Sequence, residues 1–252
     1  MRHALSAAGL CLGLTFAAPA LAYDGPLLDS AGCPQDDVSI VVLGDSLADG
    51  LWGSFFRAFA RCGTVEVHRG TTVSDGLTRT APEEWVGRIA GPAEGADLIV
   101  VQMGANDIQN IREGTTRAVF GSPEWDAAYA ARAESLGAAL AATGADVVWL
   151  GLPIVGEARF EDSYRAITAL QAAAAEKAGI LFVDTHEPTT FGLGGFVMSA
   201  EVGGTLRQVR VTDQVHFTEI GYDVVAGLLS REVERIFLSA GREAAIDGLA
   251  LQ

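Results

Sequence analysis

The 252-residue chain carries 32 acidic against 17 basic side chains, for a formal net charge of −15, and 49% of its residues are apolar. That balance disfavours nucleic acid and anionic lipid surfaces as partners, because affinity for both comes from Lys and Arg. The length suffices for one α/β domain with a full core.

In chain order, Met1–Ala22 reads as a secretory signal peptide: Arg2 and His3 precede a short apolar run that ends in Ala20-Leu21-Ala22. Cleavage there would remove Arg2 and leave a charge of −16 on a single domain of residues 23–252, periplasmic or secreted, with its core at about 38–238. Of three cysteines Cys11 would leave with the signal, so Cys33 and Cys62 remain as a pair in an oxidising compartment. They lie before the first strand and at the end of the helix after it, at one edge of a β-α unit. A structural disulfide fits that placement, and two buried free thiols are the alternative.

Val38–Leu43 is a continuous apolar run, as in a buried parallel strand. A helix over Leu51–Arg61 follows, with Trp52, Phe55, Phe56 and Phe59 spaced for a core face. Thr64–His68 alternates as a second strand, Arg69–Ala81 has loop composition, and Pro82–Ile89 is a short helix. Asp97–Met103 is a third strand, and a looser segment leads to Ser122-Pro123, the cap and first turn of a helix running to Thr143. Strands over Val147–Leu152 and Ile180–Val183 flank a helix over Glu161–Ala178 that Gly179 terminates. Asp184–Thr212 is a long glycine-broken span, Glu219–Ser239 the last helix, and Ala240–Gln252 a tail. This alternation predicts a three-layer α/β/α sandwich around a doubly wound, flavodoxin-like, five-stranded parallel sheet.

In such a sheet the loops after the strands converge on one edge. They carry Gly44-Asp45-Ser46, Thr72-Val73-Ser74-Asp75-Gly76 and Gly104-Ala105-Asn106-Asp107, and a fourth, before the last helix, carries Asp213-Gln214-Val215-His216. Serine, imidazole, carboxylate, amide and glycine backbone together make up what acyl transfer needs: a nucleophile, a base, an orienter for the base, and donors for an oxyanion.

These blocks resemble, in order and over about Val38 to Leu238, the SGNH or GDSL-type hydrolases. Val215-His216-Phe217-Thr218, Gly221-Tyr222 and Ser122-Pro123-Glu124-Trp125 are similar to an uncharacterised branch of secreted bacterial members. The resemblance implies Ser46 as nucleophile, His216 as base and Asp213 as its orienter. It also implies an oxyanion hole from the backbone N–H groups of Ser46 and Gly76 with the Asn106 amide, Gly70 being the alternative to Gly76. Asp45 and Asp107 are read as braces of their turns, and His186 as a competing base.

No cofactor and no metal are expected: Gly-x-Gly-x-x-Gly does not follow the first strand, and His-x-His and Cys-x-x-Cys pairs are missing. The expected activity is a serine esterase removing small acyl groups, acetyl above all, from a carbohydrate or another small ester. Acyl transfer to a glycan hydroxyl, a lipase or thioesterase, and a non-catalytic carbohydrate-binding module are the alternatives. Phe191, Leu193, Phe196, Val197 and Met198 of the long span are candidates for an acyl-pocket wall.

Overall fold

A computed structural model describes Gly25, Leu27, Leu28 and residues 32–239. The signal-peptide assignment and the tail lie outside the described residues. Five parallel strands form the sheet in the order β2 (Val65–Thr71), β1 (Val38–Gly44), β3 (Leu98–Gln102), β6 (Asp146–Leu150), β7 (Leu181–Val183). Alternate side chains of β1 feed two cores, as a two-residue period requires: Val41 and Leu43 on one face, Ile40 and Val42 on the other.

The first core lies under α2 (Pro82–Arg88), the short α3 (Ala90–Ala93), α4 (Pro123–Ala141) and α5 (Ala158–Ala178), with Trp85, Trp125 and Trp149 at its centre. The second lies under α1 (Ser46–Phe59) and α6 (Glu219–Gly227), and a further helical stretch covers 230–239 after a turn. Gly50 lets α1 and α6 meet: a Cβ there would lie 2.0 Å from the Tyr222 ring.

Three expectations need correction. β2 continues through Arg69-Gly70-Thr71, where loop composition points elsewhere, because β1 supplies parallel partners up to Gly44. The looser segment holds an antiparallel hairpin, β4 (Ile111–Glu113) with β5 (Thr116–Ala118), and the long span holds another, β8 (Ser199–Val202) with β9 (Thr205–Gln208). Of the α1 aromatics Phe55 and Phe59 are core, but Phe56 is 53% exposed and stacks on the half-buried Trp52, beside β2 at the sheet's edge.

Cys33 and Cys62 are joined by a disulfide, with their Cα atoms 5.3 Å apart. Among the described residues no helix is long and apolar enough to cross a membrane. Closing a separation of 29 residues contributes about 3–4 kcal/mol on the loop-entropy estimate. Cys33→Ala/Cys62→Ala, or the wild type in dithiothreitol, should therefore melt roughly 10 °C lower by circular dichroism.

Candidate active site

The strand order reverses direction between β1 and β3, and such a switch point opens a crevice at the carboxyl ends of the strands. β1 ends at Gly44, whose φ is +142° and whose Cβ, were there one, would lie 1.9 Å from the Gln102 carbonyl oxygen. Only glycine fits so close to β3. Gly104 (φ +121°), two residues past the end of β3, also has a backbone that favours glycine.

Asp45 caps α1. It is fully buried, and its carboxylate accepts the N–H groups of Leu47, Gly104 and Ala105, each at 2.9 Å. Asp107, also buried, accepts from Leu77 N–H (3.2 Å), Thr78 N–H (3.0 Å), the Thr78 hydroxyl (2.8 Å) and the Tyr129 hydroxyl (2.9 Å). Asp45 thus ties the first loop to the third, and Asp107 ties the third to the second. Burial pushes the Asp45 carboxyl up to about 7, aided by the nearby Asp107 and opposed by the three N–H donors. Burial likewise raises Asp107.

Ser46 is the first residue of α1, partly exposed at the mouth of the crevice. Its hydroxyl lies 2.7 Å from His216 Nε2, and His216 Nδ1 lies 2.7 Å from Asp213 Oδ2. Asp213 Oδ1 also accepts the N–H groups of Val215 and His216, both at 2.9 Å. Burial alone would raise the Asp213 carboxyl, but these two N–H groups and the imidazole hold it below the ordinary carboxylate range.

The loop is fastened from behind by Arg210, which is 0% exposed. Its Nη1 donates to the Val215 carbonyl (2.8 Å) and its Nη2 to that of Ile154 (2.7 Å), and its guanidinium stacks 3.6 Å from the Phe217 ring centre. Burial without a carboxylate lowers its pKa to about 9. The Gln214 carbonyl accepts from Gly156 N–H, a second tie to the segment after β6.

Asn106 faces Ser46 across a cavity of about 340 Å³. Its Nδ2 donates one proton to the Asp75 carbonyl (3.0 Å), which leaves the second amide proton. The N–H of Ser46 has no acceptor among the described residues.

Gly76 is less open than expected. Its N–H donates to Asp75 Oδ1 at 2.7 Å, and Asp75 is itself held by the Thr80 hydroxyl and Arg88. This donor therefore already has a carboxylate partner. Gly70 is no substitute, because it sits inside β2 opposite Leu43, under Ile89. His186 pairs with Glu161, away from Ser46.

The cavity walls are Ile108, Gln109, Phe160, Tyr164 and Val215, not the candidate residues of the long span. Phe191 is core and Leu193 is exposed. Phe160 and Tyr164 were the findable miss: they fall four apart, on one face of the helix whose start the sequence suggested only three residues late. Among the described residues no group of three or more His, Cys, Asp or Glu is arranged to hold a metal ion.

The family model described as "Protein of unknown function (DUF459)" matches residues 39–232, and the chain belongs to that family. Its fold is that of the SGNH hydrolases. An α/β hydrolase enzyme, LAE5, from the metagenome of Lake Arreo, Spain, is similar with a TM-score of 0.56 at 16% identity, covering 79% of this chain and 96% of that one. A carbohydrate esterase family 3 protein from Talaromyces cellulolyticus is similar with a TM-score of 0.51 at 14% identity, over 80% and 99% of the two chains. An acetyl esterase mutant with acetate ion has a TM-score of 0.50 at 13% identity, over 80% and 99%. No curated protein matches the chain in sequence.

The Asp45 brace yields a pH prediction. A carboxyl held above its unfolded pKa binds its proton more tightly in the native state, so its contribution to stability falls as pH rises from about 4 to about 7. Asp45→Asn puts an amide donor against an N–H donor and should cost about 2–3 kcal/mol. It also removes that pH dependence. Urea unfolding at pH 5 and pH 8 should show a smaller gap between wild type and variant at pH 8.

Proposed function

We propose that this protein is a serine esterase that releases small acyl groups, acetyl above all, from ester substrates in an oxidising extracytoplasmic compartment. The observation that carries the reading is the unbroken relay from Asp213 through His216 to Ser46, with both ring nitrogens at 2.7 Å from their partners. A hydroxyl hydrogen-bonded to a ring nitrogen whose opposite nitrogen faces a carboxylate is what nucleophilic acyl transfer requires.

In this reading the Ser46 Oγ attacks the acyl carbon and its proton passes to His216 Nε2. The negative charge on the carbonyl oxygen is met by the Ser46 N–H, at the N-terminus of α1, and by the free Asn106 amide proton. Collapse breaks the bond to the alcohol, which leaves with the proton from His216. A water then gives its proton to His216, attacks the acyl carbon, and the acid departs with Ser46 restored. Asp213, depressed by its three donors, stays ionised throughout. Two oxyanion donors support the reading directly. The Gly76 N–H joins them only where Asp75 lets it go.

The cavity of about 340 Å³ and its aromatic walls suit a short acyl chain better than a long one. The disulfide supports the compartment. A carbohydrate as the alcohol rests on one similar fold being named a carbohydrate esterase, and acetyl as the acyl group on another being named an acetyl esterase.

With p-nitrophenyl acetate as substrate, Ser46→Ala should abolish turnover and single-site labelling by a fluorophosphonate. Asp213→Asn should lower kcat about 10³- to 10⁴-fold, and Asn106→Ala about 100- to 1000-fold. The octanoate ester should be a poorer substrate than the acetate. Equal turnover by wild type and Ser46→Ala would remove Ser46 from the reaction.

A further inference from the structure

The β4–β5 hairpin follows the Asn106 loop directly, and Arg112 and Arg117 are register partners across it. Side chains directly opposite in an antiparallel pair have Cβ atoms about 4.5–5.5 Å apart, and like charges there are destabilising. Ile111 and Ala118 turn inward to the core and Glu113 reaches Arg132, so the two guanidinium groups stand on the outer face, both exposed.

The chain has 32 acidic residues to its 17 basic ones, so a cation has acids to choose from. Arg69, Arg88 and Arg132, around the same loops, each hold one. Among the described residues Arg112 and Arg117 have no carboxylate within 4 Å and no side-chain hydrogen bond. Among the described residues Arg61, Arg207 and Arg231 also have no carboxylate within 4 Å, but none of them faces a second cation across a strand pair.

Arg79 is exposed as well. Its Nε and Nη2 fork onto Gln109 Oε1 at 3.1 and 2.9 Å and its Nη1 onto the Ser74 carbonyl, with no acid to neutralise it. Gln109 lines the cavity that opens on Ser46. Arg112 is three residues further on, within about 10 Å along the backbone. A charge pair that costs stability in the empty protein, in a chain rich in unused acids, is the arrangement expected where an external anion completes the set.

We propose that Arg112 and Arg117, with Arg79 on Gln109 of the cavity wall, form a carboxylate-recognition rim, so that the ester handled at Ser46 carries an anionic group on its alcohol portion. The substrate half of this proposal rests on the esterase reading above. The binding half does not.

The test compares 4-acetoxybenzoate with its neutral counterpart 4-acetoxybenzamide. Wild type should prefer the benzoate by about tenfold in kcat/KM, through KM, and added NaCl should erode the preference. Arg112→Gln/Arg117→Gln, which relieves a repulsion and so folds, should lose the preference while hydrolysing the benzamide ester as wild type does. Equal kcat/KM for the two esters in wild type, or the same loss on both in the variant, overturns the rim.

A second arm needs no turnover: 4-acetamidobenzoate should raise the Tm of wild type and not that of the double variant, and 4-acetamidobenzamide should raise neither. If neither ester is hydrolysed but this shift is present, the esterase reading falls and the rim stands. If both esters are hydrolysed alike and the shift is absent, the rim alone falls.

Discussion

Two buried carboxylates hold three of the loops of the candidate site together. Asp45 takes three backbone N–H groups from the first and third loops, and Asp107 takes N–H and hydroxyl groups from the second loop and from Tyr129 on α4. Each loop leaves a parallel strand whose end would otherwise expose donors, and an unpaired buried donor costs about as much as a lost hydrogen bond. Gathering those donors onto two acceptors fixes the separations among Ser46, Gly76 and Asn106 without any of the three making the bracing bonds itself. The bracing residues and the proposed catalytic ones are chain neighbours, with Asp45 beside Ser46 and Asp107 beside Asn106.

The fourth loop arrives from the far end of the chain and is set by different means. Asp213 folds the turn onto itself through the Val215 and His216 N–H groups. Arg210 then pins the turn to the segment after β6 through two carbonyls and the Phe217 ring. A buried arginine with only carbonyl and aromatic partners carries an unneutralised charge, and its Nε finds no acceptor among the described residues. Asp213 feels that charge, and the coupling acts in the same direction for both: it favours the ionised carboxylate and the charged guanidinium. The Asp213 carboxylate is therefore held ionised mainly by its hydrogen bonds and the imidazole, with the Arg210 charge acting in the same sense.

How much of this was legible in the sequence depended on the kind of interaction. The sheet and its order of layers follow from β-branched runs such as Val38–Leu43, which have nowhere to go but a buried parallel strand. The residues around Ser46 were legible because glycine, Asp, Asn and His at strand ends have few structural uses together. The hairpins were not, because strands of three or four residues such as Ile111–Glu113 carry too short a pattern to register. Nor was the end of β2, where Arg69-Gly70-Thr71 is held extended by its neighbour and not by its own propensity. The engaged Gly76 N–H lay beyond reach for another reason. It depends on the rotamer of the adjacent Asp75, which Thr80 and Arg88 select from five and thirteen residues away.

The same brace that assembles the site also tempers it. The N-terminus of α1 presents a partial positive charge to the Ser46 oxygen and to any oxyanion formed beside it. Asp45, capping that same helix, sets a carboxyl against this field, and Asp107 stands behind it. Were both fully ionised, their charges would offset what the helix offers to developing negative charge. Burial acts against that outcome by lifting both carboxyls, Asp45 to about 7, so that near neutrality its charge is only partly present. Locking the loops and keeping the helix end electropositive are opposing demands on one residue, and desolvation is the physical effect that reconciles them.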